Sequence, residues 1–131
     1  MSTIKGNFDI KTTPLTPEKS TEEIGAGRMR FDKTFHGDLQ GTSVLEMLGM
    51  MDTEHRSGAY VALERFTGTL LGKKGGFALQ HFSTMDRGTP EQRINVVPDS
   101  GTDELMGLKG SMIIDVVEKR HHYTFDFTLG G

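Results

Sequence analysis

An all-β fold of eight antiparallel strands, a meander or barrel, is what this sequence predicts. Glycine punctuates the chain about every ten residues, and short runs between the glycines alternate polar and apolar side chains with period two. Few stretches carry the 3.6-residue period of a helix. At 131 residues the chain is long enough for one domain with a buried core, expected to span residues 1–131. Hydrophobic residues make up only 34%, but 17 glycines, roughly twice the usual share, account for the shortfall, so the composition is that of a folded chain.

The strands are expected at 3–11, 28–36, 40–51, 58–71, 75–85, 91–98, 108–118 and 121–129. The first is separated from the second by one long polar connection from Thr12 to Gly27, which carries Pro14, Pro17, Gly25 and Gly27. Connections of that length are lids, binding loops or mobile segments. The third strand competes with a helix. Val44, Met47, Leu48 and Met51 share a helical face, and Ser43 with Glu46 has capping-box spacing, while Gly49 opposes a helix. Its strand neighbours favour the strand. One short helix or helical turn is expected near Thr102 to Met106.

Three hairpins can be registered. Pairing Gly72 with Gly75 around Lys73-Lys74 sets Phe66 opposite His81 and Glu64 opposite Ser83. A turn at Asp86-Arg87-Gly88-Thr89 pairs Met85 with Pro90, His81 with Ile94 and Ser83 with Gln92. A turn at Lys119-Arg120 sets Tyr123 by Val116, Phe125 by Ile114 and Phe127 by Met112. The inward face then collects Tyr60, Ala62, Phe66, Leu70, Phe77, Leu79, Met85, Ile94 and Val96, joined by Met112, Ile114, Val116, Tyr123, Phe125 and Phe127. A slip of one residue would invert these assignments.

Polar residues interrupt that face. Glu64, Ser83 and Gln92 fall in one cross-strand row, with His81 a row away. A carboxylate inside a barrel is costly unless paired or wetted. Polar groups converging among Tyr60, Phe66 and Phe77 make a candidate small-molecule pocket, and a satisfied structural network, with Glu64 accepting from Ser83 and Gln92, is the alternative.

Other chemistries find little support. Cysteine is absent, which excludes disulfides, thiolate metal sites and cysteine nucleophiles. No metal site is expected: His121 and His122 are adjacent and point to opposite faces of a strand, no HxH or HExxH spacing occurs, and His55 belongs to a solvated turn. Ser83 does not sit on a nucleophile elbow, and no glycine cluster follows a strand-to-helix phosphate loop. No cofactor is implied. A net charge of −3 and a pI near 5.9 speak against nucleic acid. No apolar run reaches the ~20 residues of a membrane helix, and no secretory signal opens the chain, so a cytoplasmic protein is expected. Outward-facing Val61, Leu63 and Phe82 form an apolar patch of the kind that buries against another subunit.

Four segments together resemble a known family. They are Phe35-His36-Gly37-Asp38-Leu39-Gln40-Gly41, Leu63-Glu64-Arg65-Phe66-Thr67-Gly68, Gly76-Phe77-Ala78-Leu79-Gln80-His81 and the stretch from Val97-Pro98-Asp99 through Gly101-Thr102-Asp103-Glu104-Leu105 to Gly110. In this order they are similar to the bacterial domain-of-unknown-function family 3224 over nearly the whole chain. The resemblance implies an eight-stranded, calycin-like barrel like that of allene oxide cyclase and the dirigent proteins. It also implies a hydrophobic ligand inside the barrel and a homo-oligomer, dimer or trimer. It favours the strand at 40–51. No cyclase motif can be matched residue by residue, so no catalytic residue is carried over.

Three functions fit. The barrel could bind a small, largely apolar molecule oriented by Glu64, His81 and Gln92. It could be a structural or interaction module plugged by its own side chains, since eight strands enclose little more than side chains can fill. It could be an isomerase or cyclase using Glu64 as acid or base and His81 to position or shuttle a proton. Binding ranks first.

Overall fold

A computed structural model describes residues 1–129. Its strands are β1 (Ser2–Leu15), β2 (Gly27–Gly37), β3 (Leu39–Asp52), β4 (Ser57–Leu70), β5 (Lys73–Asp86), β6 (Thr89–Val96), β7 (Lys109–Val117) and β8 (Arg120–Thr128). They close in sequence order into one antiparallel barrel, with β8 returning to pair with β1. The segment around Gly49 is strand β3 throughout. Its inward residues Leu39, Ser43 and Leu45 are buried between exposed neighbours, a period-two pattern that outweighs the helical spacing.

Two short helices interrupt the strands. A five-residue helix, α1 (Lys19–Glu23), lies in the long β1–β2 connection. Residues Asp103–Leu105 form a 3-10 turn between β6 and β7. Leu105 and Leu108 from that connection are fully buried and close one end of the barrel. The contact is close enough that a Cβ on Gly75 would lie 2.2 Å from the Thr102 carbonyl oxygen.

The β5–β6 register is the expected one, with Met85 opposite Pro90 and Ser83 opposite Gln92. Two registers differ. Gly75 pairs with Gly68, so Phe66 faces Phe77, Glu64 faces Leu79 and His81 faces Ala62. In the last hairpin Phe125 faces Met112 and Tyr123 faces Ile114. The reason is the turn. Leu71-Gly72 and Glu118-Lys119 make two-residue turns with positive φ at both positions, 50° and 81° in the first and 51° and 67° in the second. Leucine, glutamate and lysine rarely take that conformation, so their turns are not apparent from residue type. Both slips are even, and the inward face is preserved.

The interior divides into two halves. Toward the end closed by Leu105, Phe35, Phe66, Phe77, Phe125 and Phe127 pack with centroids 5.0–5.7 Å apart along the series. The Tyr123 hydroxyl accepts from the Leu39 N–H at 3.2 Å and donates to the His36 carbonyl at 3.1 Å, tying β8 to the β2–β3 turn. Toward the other end the barrel is not filled. Tyr60, Met85 and Ile114 are only partly buried, and Val116, expected inside, is exposed where β7 runs out past the packed core.

Candidate functional site

A cavity of about 420 Å³ opens at the unfilled end, lined by the start of β2, the end of β3, the start of β4, the end of β5 and the start of β6. Inward Met29, Met47, Met51, Tyr60, Ser83, Met85 and Gln92 face it, and Gly27 and Gly49 leave room. The wall is mostly apolar and rich in thioether side chains, with Tyr60 its one aromatic ring among the described residues, a soft surface that fits irregular apolar shapes. At the rim, Arg28 donates to the Thr16 carbonyl at 2.7 Å and to Glu46 at 2.9 Å, bringing the start of the β1–β2 connection to the cavity mouth.

The seam between β6 and β7 is thin here. Among the described residues only Asn95 and Ser111 are laddered, and beyond them the Gln92 side-chain oxygen accepts from the Ile114 N–H at 2.8 Å. A side chain thus stands where ladder bonds would continue.

Between cavity and packed half lies a buried polar cluster. The Glu64 side chain is wholly enclosed. Its Oε1 accepts from Lys33 Nζ at 3.1 Å and lies 2.7 Å from His81 Nε2, and its Oε2 accepts from Ser43 Oγ at 2.6 Å. Lys33 and Ser43 are cross-strand partners on β2 and β3, and His81 reaches the carboxylate from β5. The Lys33 ammonium also sits 4.8 Å from the Phe8 ring centroid. Burial alone would raise the Glu64 pKa. The His81 hydrogen bond, the Lys33 and His81 charges and the Ser43 hydroxyl outweigh it and lower the pKa from 4.5 to about 2.

The sequence-predicted site residues fall into three places. Tyr60, Ser83 and Gln92 line the cavity in one cross-strand row. Glu64 and His81 belong to the buried cluster below it. Phe66 and Phe77 pack in the filled half, away from the cavity. The expected row of Glu64, Ser83 and Gln92 is corrected: the even slip of the β4–β5 register puts Tyr60, not Glu64, beside Ser83. Neither Ser83 nor Gln92 hydrogen-bonds Glu64 among the described residues. Its partners Lys33 and Ser43 were missed. The signal for Lys33 is a lysine at the inward phase of Met29, Phe31 and Phe35.

The turn after β3 brings ligand atoms of Asp52, Glu54 and His55 within 4.8 Å of one another, all three exposed. Asp52 accepts there from the His55 main-chain N–H at 3.2 Å, and its other oxygen lies 2.8 Å from His55 Nδ1, which accounts for the turn's shape. Among the described residues, no helix is long and apolar enough to cross a membrane.

Comparison with known proteins points in one direction. A family model described as "Protein of unknown function (DUF3224)" matches residues 4–127. The chain is similar to the crystal structure of a DUF3224 protein of unknown function from Shewanella oneidensis MR-1, with 41% sequence identity and a TM-score of 0.91, covering 100% of this chain and 99% of that one. No curated protein matches. With its barrel and nearly its whole length matched, the chain belongs to the DUF3224 family.

Proposed function

We propose that the protein binds a small, largely apolar molecule in the methionine-lined cavity at the open end of the barrel. The observation that carries this reading is the contrast between the two ends. One is filled by aromatic rings and capped by Leu105, while the other keeps about 420 Å³ of mostly apolar space with a few polar groups on one row. That is the usual make-up of a ligand pocket. The filled half serves as scaffold, which is as far as the plugged-module reading extends.

The acid–base reading is weaker. A general base works best with a pKa near the operating pH. Glu64 is held ionised with a pKa of about 2 and already meets Lys33, Ser43 and His81. Its role in this reading is to neutralise Lys33 and orient His81 beneath the cavity.

Gly27 supplies the test. It lines the cavity, and a Cβ added there meets nothing within 4 Å, so Gly27→Phe fills the space without a backbone clash. A library of apolar compounds screened by thermal shift should raise the melting temperature of the wild type and not of Gly27→Phe. Equal shifts in both, or none in either, would contradict the reading.

We also propose a homo-oligomer, dimer or trimer, formed through the outer face of β3–β5. Leu48, Val61 and Phe82 form one continuous cross-strand row there, with Leu63 beside it. Val61 is 53% exposed, Leu63 64% and Phe82 45%. An apolar row of this extent on a sheet face fits a second copy of the same chain.

A further inference from the structure

We infer that the cavity takes a neutral carbonyl compound, its apolar skeleton against the methionines and its carbonyl oxygen on Ser83. This deepens the binding reading above and rests on it. Ser83 Oγ is the single buried side-chain polar atom without a hydrogen-bond partner among the described residues, and the residue is 9% exposed. A buried hydroxyl left unpaired is unfavourable, so Ser83 Oγ gains from any partner that reaches it, a ligand or a water.

Its neighbours in the row define the missing partner. Gln92 Oε1 is occupied by the Ile114 N–H, which leaves its amide hydrogens as donors. Tyr60 also lines the cavity, and its hydroxyl has no hydrogen bond among the described residues. Serine and tyrosine hydroxyls donate or accept, and the glutamine amide nitrogen only donates. One acceptor oxygen satisfies all three types, and a carbonyl brings one with two lone pairs, no hydrogen of its own and no charge.

The charges around the cavity favour neutrality. Arg28 is committed to Glu46 and Thr16, Glu91 to Arg93, and Lys33 to Glu64. Among the described residues Arg28 is the one cation that lines the cavity, and it is already paired, so a carboxylate there would lose its hydration against thioether and ring carbon.

The test uses acetylnaphthalene, ethylnaphthalene and naphthoate, three probes on one skeleton. The chain has no tryptophan, so naphthalene fluorescence reports binding directly. Wild type should bind the ketone about tenfold more tightly than the hydrocarbon, as one added hydrogen bond allows, and more tightly than the acid. Ser83→Ala should melt like wild type and bind ketone and hydrocarbon alike. Ser83→Cys, similar in size and a weaker hydrogen-bonder, replaces it if alanine disturbs the fold. Equal affinity for ketone and hydrocarbon in the wild type would overturn the carbonyl inference and leave cavity binding standing. Tightest binding of naphthoate would overturn neutrality, and a preference that survives in both Ser83 variants would overturn Ser83 as the anchor. No binding of any probe would overturn the binding reading and this inference with it.

Discussion

His81 and Glu64 meet inside the barrel at 2.7 Å although neither faces the other across the β4–β5 ladder: His81 is opposite Ala62 and Glu64 opposite Leu79. The contact is diagonal, and it completes a carboxylate already held by Lys33 and Ser43 on the other side. A buried ion pair of this kind adds little net stability over apolar residues, but breaking it from one side is costly because the remaining charge is stranded.

Glu64→Gln should therefore destabilise the fold by roughly 3–5 kcal/mol, since it leaves Lys33 buried without its counter-ion. Glu64→Leu combined with Lys33→Met should lose less than the two single changes added together. Urea denaturation of the two single variants and the double variant gives that coupling directly. Strict additivity would show that the pair is not coupled.

Acid stability follows from the same carboxylate. Its folded pKa, about 2, lies below the ordinary 4.5, so its contribution is fully present above about pH 4.5 and is lost as pH falls toward 2. The shift corresponds to a contribution on the order of 3 kcal/mol. Chemical denaturation of wild type across that window should show a fall in stability that is shallower in Glu64→Gln. Parallel pH profiles for the two proteins would contradict it.

Ser83→Ala should cost almost nothing in the ligand-free protein and could stabilise it by about 1 kcal/mol, because it removes a buried hydroxyl that has no partner. A melting temperature several degrees below wild type would mean that Ser83 is bonded in solution.

The inward face was legible in the sequence, as was the β5–β6 pairing, but the other contacts across that face were not. Period-two alternation survives any even slip, so Phe66, Phe77 and Phe125 are inside whichever register the hairpins take. The pairings depend on the turns, and Leu71 and Glu118 at positive φ carry no residue signature of that conformation. Glu64 and His81 could be placed inside on parity alone. The Lys33–Ser43 half of their cluster comes from β2 and β3, which no hairpin turn signal linked to β4. The cavity was illegible for another reason: it depends on where the packed aromatic half stops, a property of the closed barrel and not of any one strand.

Assembly is tested by sedimentation equilibrium. Wild type should sediment at a multiple of 14.5 kDa, and Leu63→Glu with Phe82→Glu should release monomer by placing charges on the exposed apolar row. A monomeric wild type at micromolar concentration would contradict the proposed interface.

Methionine-methyl NMR of the wild type, titrated with acetylnaphthalene and with ethylnaphthalene, tests cavity binding most directly. The chain has eight methionines. Met29, Met47, Met50, Met51 and Met85 line the cavity, whereas Met112 is packed in the core and Met1 and Met106 are exposed away from it. Saturable shifts confined to the five cavity-lining methyls, from either probe, are the predicted result. Unchanged spectra, or shifts at Met1 and Met106 as large as those at Met29 and Met47, would contradict it.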